Sequence, residues 1–242
     1  MSATAATVDF SDLGPLAPVP DDVKTDEGFI KSWDDTDLFW RCWEADDAKG
    51  SVALMHGFGE HCGRYNHFAS ALVRAGYNVM AIDARGHGRS TGSRGHVYYH
   101  DDYVRDLDRL VGEVEKRWSL PLFIFGHSNG GLISLRHALS KDERVLGYVL
   151  TSPFCGFKIE VPAWKSIAGN GLSKLWPTFS MPTDLDAAAV SHVHEVVAKY
   201  ERDPLNVKVA SSRWFTETKK AQAELLERAP ELDQPFLFLV AG

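Results

Sequence analysis

The 242-residue chain has little of several features that define whole classes of protein. It has only three cysteines, Cys42, Cys62 and Cys155, and no two of them stand at C-x-x-C spacing. The sequence therefore predicts neither a disulfide framework nor a zinc site. No apolar run approaches the roughly 18 residues that a membrane-spanning helix needs, and residues 1–12 lack the basic and apolar regions of a secretory signal. These absences predict a cytoplasmic protein without an integral membrane segment.

Charge of one sign is also not in large excess, because 26 Lys and Arg stand against 33 Asp and Glu for a formal net charge of −7. A mildly acidic chain has no electrostatic reason to bind nucleic acid strongly, so we expect no nucleic-acid partner. Hydrophobic residues make up 44% of the chain and charged residues 24%. These are the proportions of an ordinary globular protein, which exclude disordered and collagen-like classes.

From Ser51 onward, short apolar runs bounded by turn residues alternate with segments of helical periodicity. Strands that are apolar throughout belong to a sheet covered on both faces. The alternation predicts an α/β fold, with a mostly parallel sheet and flanking helices. The predicted strands are 29–33, 38–43, 51–55, 77–82, 122–125, 147–150 and 235–240, and the predicted helices are 65–75, 101–118, 129–140, 187–200 and 214–228.

The regular alternation stops after Pro153, and residues 156–212 show four prolines, scattered aromatic residues and no clear strand. We interpret this stretch as a cap or lid inserted over the sheet. Residues 1–24 are rich in Ala, Thr and then Pro, which indicates an irregular arm. The predicted organisation is therefore an arm over 1–24, a core over 25–155, a cap over 156–212 and a resumed, incomplete core over 213–242.

One motif carries nucleophilic chemistry: Gly126-His127-Ser128-Asn129-Gly130 fits the pattern G-x-S-x-G. An apolar strand runs directly into it and a helix follows, which is the context of a nucleophile elbow. The turn is so tight that its neighbours must be small, and Gly126 and Gly130 supply that clearance. The alternative is a plain Gly/Ser loop between a strand and a helix.

A second motif, His56-Gly57-Phe58-Gly59, follows the predicted strand 51–55. A loop in this place can point the backbone N–H of Phe58 at a developing oxyanion, and the second donor would be the N–H of Asn129. His56 and Gly57 would support this loop. Because both donors are main-chain groups, we expect the side chains of Phe58 and Asn129 to be free to shape an acyl pocket. The alternative is a simple turn with a packed histidine.

With these residues in hand, the sequence resembles the α/β-hydrolase fold, and within it the monoacylglycerol lipase and lysophospholipase group, of serine aminopeptidase S33 type. The resemblance spans about 26–242 and implies serine-dependent hydrolysis of carboxylic esters through a Ser128 acyl-enzyme. The implied substrate is a small acyl ester or lipid, of monoacylglycerol or lysophospholipid type, with no cofactor and no metal. The blocks that carry the resemblance are HGFGEHCGRY (56–65), DARGHGRSTGSRGHV (83–97), GHSNGG (126–131) and TSPF (151–154).

The resemblance also implies individual roles. Ser128 is the nucleophile, and the amides of Phe58 and Asn129 form the oxyanion hole. Residues 83, 85, 86, 87 and 88 match a loop that is mainly structural, and Glu60, His61 and Arg64 match a loop where an ion pair or hydrogen-bond network is expected. Asn129 departs from the group, which usually has Met at this position, and makes the acyl pocket less apolar.

In this fold an acid and then a histidine follow the nucleophile in sequence. The resemblance places both after Gly242, so we expect neither a triad Asp nor a triad His within the 242 residues. None of the ten histidines matches the family loop that faces the nucleophile, and the H-x-H pair His192 and His194 has no obvious third metal ligand. We favour a longer reading frame that supplies both residues. A split product completed by another chain and a degenerate copy are the alternatives.

Apolar residues of the predicted cap could line a site for an acyl chain or could only pack the cap onto the sheet. Two alternatives to ester hydrolysis stay open: a non-catalytic ligand-binding protein on a hydrolase scaffold, and a peptidase, thioesterase or acyltransferase of the same fold. The cap residues concerned are Phe154, Phe157, Trp164, Leu172, Leu175, Trp176, Phe179 and Met181.

Overall fold

The computed structural model describes residues 18–157, 171–183 and 191–240. Trp164 and most of the predicted arm lie outside the described residues. Among the helices of the described part, none is long and apolar enough to cross a membrane.

Nine strands and five α-helices have complete bounds in the described residues. The strands are β1 (Lys24–Lys31), β2 (Asp37–Glu44), β3 (Gly50–Met55), β4 (Tyr77–Ile82), β5 (Leu122–His127), β6 (Val145–Thr151), β7 (Ser180–Pro182), β8 (Val209–Ser211) and β9 (Phe236–Leu239). The helices are α1 (Asn66–Arg74), α2 (His100–Trp118), α3 (Asn129–Ala138), α4 (His194–Arg202) and α5 (Ser212–Arg228), with short 3-10 turns at Cys62–Tyr65 and Ala229–Glu231.

Seven strands form one sheet in the order β1-β2-β4-β3-β5-β6-β9. The pairs β1–β2 and β2–β4 are antiparallel, and every later pair is parallel. The carboxyl ends of β3 and β5 therefore lie side by side, with Met55 paired to Gly126. This register brings the two predicted motifs to the same edge of the sheet. The predicted fold class is confirmed.

Helices cover both faces of the sheet, as the all-apolar strands predict. On one face α1 buries Ala69 and Val73 against Leu54 and Phe125. On the other face α2, α3 and α5 bury a larger cluster. Its fully buried members include Leu107, Leu110, Leu132, Ile133 and Ile124. The motifs at the strand ends are thus held by two packed cores.

The structure differs from the predicted elements at three places. Strand β1 spans Lys24–Lys31 and not 29–33, because its polar first half pairs with Arg41–Glu44 of β2 and Glu27 forms an ion pair with Arg41. The cap does contain strands, since β7 pairs antiparallel with β8. Helix α4 begins at His194, so the prediction of a helix from residue 187 is wrong for 191–193, and 187–190 lie outside the described residues.

A buried ion pair fastens the loop after β4 to α2. The guanidinium of Arg85 donates to both carboxylate oxygens of Asp106 at 2.7 Å, and it also pairs with Asp34 at 2.8 Å. Burial raises the pKa of Asp106, although its bonds to Arg85 and Ser32 oppose this shift. Each charge therefore depends on its partner for a substitute for water.

We predict that Asp106→Asn lowers the free energy of unfolding by about 3–5 kcal/mol, because it leaves the buried Arg85 without its main counter-charge. The measurement is urea denaturation followed by tryptophan fluorescence. Asp108→Asn is the matched control on the same helix, since Asp108 is exposed and its partner Arg144 keeps Asp142. The control should cost less than about 1 kcal/mol. Equal losses for the two variants would contradict the prediction.

Candidate active site

Ser128 stands at the junction of β5 and α3 with φ 50° and ψ −113°. This pair of angles is that of the first central residue of a type II′ turn, a conformation that glycine dominates. A serine there holds backbone strain of about 1–3 kcal/mol, which the surrounding structure must impose. Two backbone bonds do so: the Ser128 N–H donates to Thr151 O at 3.0 Å, and the Phe154 N–H donates to Ser128 O at 2.9 Å.

The glycines on either side of the serine are required by close packing. A Cβ on Gly130 would lie 2.1 Å from Met55 O and 2.6 Å from His56 O. A Cβ on Gly126 would lie 2.5 Å from Ser134 Oγ and 2.6 Å from Gly130 O. The start of α3 therefore packs directly on the end of β3, as the elbow interpretation of the motif requires.

The loop after β3 is held by buried polar groups. Glu60 Oε1 accepts hydrogen bonds from the Gly57 N–H and the Tyr65 hydroxyl, each at 2.7 Å, and Arg64 lies 3.4 Å from Glu60 Oε2. Burial raises the pKa of the Glu60 carboxyl, but nearby His127 and His56 and the two hydrogen bonds outweigh it and lower that pKa. The carboxylate is thus kept charged under the loop.

His56 supports the same loop from below and is fully engaged. Its Nε2 accepts from the Ala84 N–H at 2.9 Å, which leaves the proton on Nδ1 for the bond to Gly57 O at 2.7 Å. Burial lowers the pKa of this imidazole. His56 therefore fixes the loop and has no ring nitrogen left for a substrate.

The two backbone amides predicted to act together are both free of partners. Within the described residues, neither the Phe58 N–H nor the Asn129 N–H donates a hydrogen bond. The Asn129 side chain is 2% exposed, and its Oδ1 has no partner there either. Phe58 differs from expectation, because its side chain is not free. The ring lies 3.9 Å from Trp214 and 5.0 Å from His87, measured between ring centroids.

No hydrogen bond in the described part of the chain joins a histidine to the Ser128 hydroxyl. His127, next to the serine, directs Nδ1 to Thr151 Oγ1 at 2.8 Å. The other bonded histidines hold structural partners: His61 binds Asp203, His87 binds Arg85 O, His96 binds Ser211, His100 binds Arg136 and His137 binds Tyr148.

A cavity of about 560 Å³ lies beside the elbow on the α1 side of the sheet. Its lining mixes apolar groups, such as Phe68 and Leu239, with Glu60 and His127. Ser128 is not among the lining residues. The cavity thus adjoins the candidate site without containing its nucleophile.

Aromatic residues start next to the nucleophile and continue into the cap. Phe154, bonded to Ser128 O, lies 4.7 Å from Phe157, and Phe157 lies 5.0 Å from Phe215, between ring centroids. Other predicted lining residues face solvent instead. Leu175 is 89% exposed, Trp176 59% and Met181 57%. An acyl wall is thus available from Phe154 and Phe157 and not from those three.

Residues 203–214 form the segment that returns from the cap to α5. This segment contacts the loop after β3, and the sequence did not indicate this contact. His61 Nε2 lies 2.9 Å from Asp203 Oδ2, and the Val207 N–H donates to Gly59 O at 3.0 Å. Burial raises the pKa of Asp203, but the bond from His61 outweighs it and lowers that pKa. No local pattern signals such contacts, since 142 positions separate His61 from Asp203.

One cluster away from the elbow has the residue types of a metal site. Oxygen and nitrogen atoms of Asp108, His137 and Asp142 lie within 4.8 Å of one another. Arg144 pairs with both carboxylates, so a guanidinium already supplies the positive charge there. His192 and His194 are exposed at the start of α4.

We predict that Gly130→Ala lowers the free energy of unfolding by about 1–3 kcal/mol or more, because its Cβ overlaps the Met55 and His56 carbonyls. The loss should appear although alanine is intrinsically the better helix former by about 1 kcal/mol. The measurement is urea denaturation. Gly156→Ala is the control, since a Cβ there meets no atom within 4 Å. A Gly130→Ala midpoint at or above that of Gly156→Ala would sink the prediction.

Stability should fall as the pH is lowered below about 6.5, because burial lowers the pKa of both His87 and His100 to about 3. These groups bind protons in the unfolded chain but not in the folded one, so their contribution is complete above the unfolded pKa and is lost as pH falls towards 3. Two such groups give the free energy of unfolding a slope of roughly 3 kcal/mol per pH unit between about pH 5.5 and 4.

Urea denaturation at several pH values measures this slope. The double variant His87→Gln/His100→Gln should flatten it, whereas His194→Gln, at an exposed position, should leave it unchanged. An unaltered slope in the double variant would show that other groups carry the effect.

The chain resembles known proteins in its sequence. The family model described as serine aminopeptidase, S33 matches residues 46–242. A rat protein named monoglyceride lipase is 34% identical over 84% of this chain and 68% of its own length. A Mycolicibacterium smegmatis protein named monoacylglycerol lipase is 38% identical over 69% of this chain and 60% of its own length.

The chain also resembles solved structures of monoacylglycerol lipases. The crystal structure of Paleococcus ferrophilus monoacylglycerol lipase superposes with a TM-score of 0.75 at 30% identity, over 84% of this chain and 77% of that one. The chain spans only a fifth of the length of a 33%-identical Dictyostelium discoideum abhydrolase domain-containing protein. Since the family model covers most of the chain and a lipase structure superposes on it with a TM-score of 0.75, the protein belongs to the serine aminopeptidase S33 family of α/β hydrolases.

Proposed function

We propose that the protein hydrolyses carboxylic esters through an acyl-enzyme on Ser128. The observation that carries the proposal is the backbone of Ser128, whose φ of 50° and ψ of −113° hold the residue at a strained turn between β5 and α3. A surface loop gains nothing from such strain, whereas a nucleophile gains an exposed hydroxyl at the amino end of a helix. The family of the chain is that of serine hydrolases, which agrees.

In the proposed reaction, Ser128 Oγ attacks the ester carbonyl carbon and its proton passes to a histidine base. The carbonyl oxygen becomes an oxyanion that the Phe58 and Asn129 N–H groups stabilise, since neither has another partner among the residues that the structure describes. The C–O bond then breaks, the alcohol leaves with the proton, and the acyl group stays on Oγ. Water, deprotonated by the same base, releases the acid. The chemistry needs neither cofactor nor metal.

We further propose that the base and its orienting aspartate come from a segment encoded after Gly242. Within the described residues no histidine hydrogen-bonds the Ser128 hydroxyl, and seven of the ten histidines are bonded to other partners. The fold orders nucleophile, acid and histidine along the chain. The parallel pair β6–β9 brings the end of β9 to the same edge of the sheet as Ser128.

For the substrate we propose a monoacylglycerol or lysophospholipid. Relatives named monoglyceride lipase, from rat, and phospholipase YtpA, from Bacillus subtilis, support this class. The aromatic wall of Phe154, Phe157 and Phe215 supports it from the structure, since it starts at the nucleophile's own carbonyl. A single acyl chain lying along these rings would place its ester near Ser128.

Peripheral contact with lipid surfaces and a cytoplasmic location complete the proposal. The exposed apolar side chains Leu175, Trp176 and Met181 lie in the cap, where they could enter a lipid surface without a spanning helix. Cys42, Cys62 and Cys155 are all free, which fits a reducing compartment.

We predict that a fluorophosphonate probe labels Ser128 in the chain extended to the next stop codon of its reading frame, and that Ser128→Ala abolishes this labelling. The 242-residue chain should stay unlabelled, because no histidine of its described residues is bonded to the Ser128 hydroxyl and a serine needs a base to be activated. The extended chain should also release glycerol from a monoacylglycerol, with kcat lowered at least about 10³-fold in Ser128→Ala.

Other outcomes separate the alternatives. Labelling of the 242-residue chain would show a base within it or a partner chain. An unlabelled extended chain would reject the hydrolase in favour of a ligand-binding protein. Labelling with release of an amino acid from an aminoacyl amide, but no ester hydrolysis, would establish a peptidase instead.

A further inference from the structure

The Phe58 amide has one restraint within its own loop, since the carbonyl of the same peptide, Gly57 O, accepts from His56 Nδ1 at 2.7 Å. Phe58 is flanked by Gly57 and Gly59, and Gly59 has φ 81°. Glycine is the most permissive residue in φ and ψ, so apart from the His56 bond the direction of the peptide between Gly57 and Phe58 depends on tertiary contacts. This direction matters because an oxyanion donor acts only when it is aimed at the developing charge.

The nearest contact of the Phe58 side chain is Trp214, in the first turn of α5. Their ring centroids are 3.9 Å apart at an interplanar angle of 38°, while His87 meets the Phe58 ring edge-on at 5.0 Å. The ring is therefore held between two side chains that lie outside its own loop. Since the ring is fixed to Cα, holding the ring restricts the backbone at Phe58.

Trp214 is itself well anchored. It is 6% exposed, and its backbone N–H donates to the Oγ of Ser211, the N-cap residue of α5, at 3.0 Å. Ser211 is tied to the core by His96 Nδ1 at 2.8 Å and by a backbone bond to Gly95 O at 3.0 Å. The anchored Trp214 side chain thus packs against the Gly57-Phe58-Gly59 loop.

The same segment contacts the loop a second time on the far side of Phe58. The Val207 N–H donates to Gly59 O at 3.0 Å. A Cβ on Gly59 would lie 3.0 Å from Val207 O, so the two backbones are in close contact. Ring packing at Phe58 and a backbone bond at Gly59 therefore restrain the loop from the segment that returns from the cap.

We infer that Trp214 is a positioning residue that aims the Phe58 N–H at the oxyanion, an inference that rests on the proposed function. Trp214 does not touch the reacting atoms; it acts through the Phe58 ring. Loss of the ring contact leaves the bond from His56 to Gly57 O as the remaining restraint on the Gly57–Phe58 peptide, so its N–H is held less firmly towards the oxyanion. Binding of the acyl chain depends on the wall at Phe154 and Phe157 and stays unchanged, whereas the transition state loses part of its stabilisation.

The test compares Trp214→Leu, Trp214→Phe and Trp118→Leu in the extended chain. Trp118 lies at the end of α2, is half-buried, is bonded to Glu44 and is remote from the loop, so it controls for the replacement of a packed tryptophan by leucine. Trp214→Leu should lower kcat and the rate of phosphonylation about 10–100-fold, with KM within about twofold of wild type. Trp214→Phe keeps a ring and should restore the rate to within about threefold of wild type, as should Trp118→Leu.

A second readout does not depend on activity. Hydrogen exchange of the Val207 amide, which donates to Gly59 O, should be at least about tenfold faster in Trp214→Leu than in Trp118→Leu. Rates or exchange equal in these two variants overturn the inference while labelling of the wild-type extended chain upholds the proposed function. No labelling of that wild-type chain rejects the proposed function, and the inference with it.

Discussion

The strained backbone of Ser128 is the constraint on which the rest of the site depends. The angles φ 50° and ψ −113° are unfavourable for a residue with a side chain, so they persist only where packing and hydrogen bonds impose them. Close contact between the start of α3 and the end of β3 does this, and it is allowed only because position 130 is glycine. The parallel register of β3 and β5 creates that contact. The geometry of the serine therefore depends on the glycines, and the close approach at the glycines depends on the sheet.

Buried charges connect the loops after β3 and β4 to each other and to α2. The carboxylate of Asp83 accepts the Cys62 N–H at 2.8 Å and the Arg89 N–H at 2.7 Å, which joins the loop after β3 to the loop after β4. Arg85 then joins the second loop to α2 through Asp106. A buried carboxylate accepts several hydrogen bonds with defined directions, so it fixes irregular backbone where regular secondary structure has ended. Loops that would otherwise be mobile are held at the edge where chemistry is proposed.

The sequence predicted those parts of the molecule that local pattern determines. Strand β4 was predicted with its observed bounds because a run that is apolar at every position but Asn78 fits the middle of a covered sheet. The first half of β1 was missed because Lys24, Asp26 and Gly28 favour no strand, and their pairing comes from β2. At the proposed site, the G-x-S-x-G context predicted a tight strand-to-helix turn at Ser128 with a closely packed glycine on each side, and the structure has that turn. The packing of Phe58 against Trp214 and the pair His61–Asp203 were not foreseen, since contacts between distant positions leave no local signal.

This division between local and distant contacts also separates the two proposed oxyanion donors. The Asn129 amide lies in the elbow itself, so the strain that positions Ser128 positions this donor too. The Phe58 amide lies between two glycines and is restrained from the segment that returns from the cap, at Val207 and Trp214. That segment includes β8, which pairs with β7 inside the cap. A change at the turn of Ser128 therefore affects the proposed nucleophile and the Asn129 donor together, whereas a change at Val207 or Trp214 acts first on the proposed Phe58 donor.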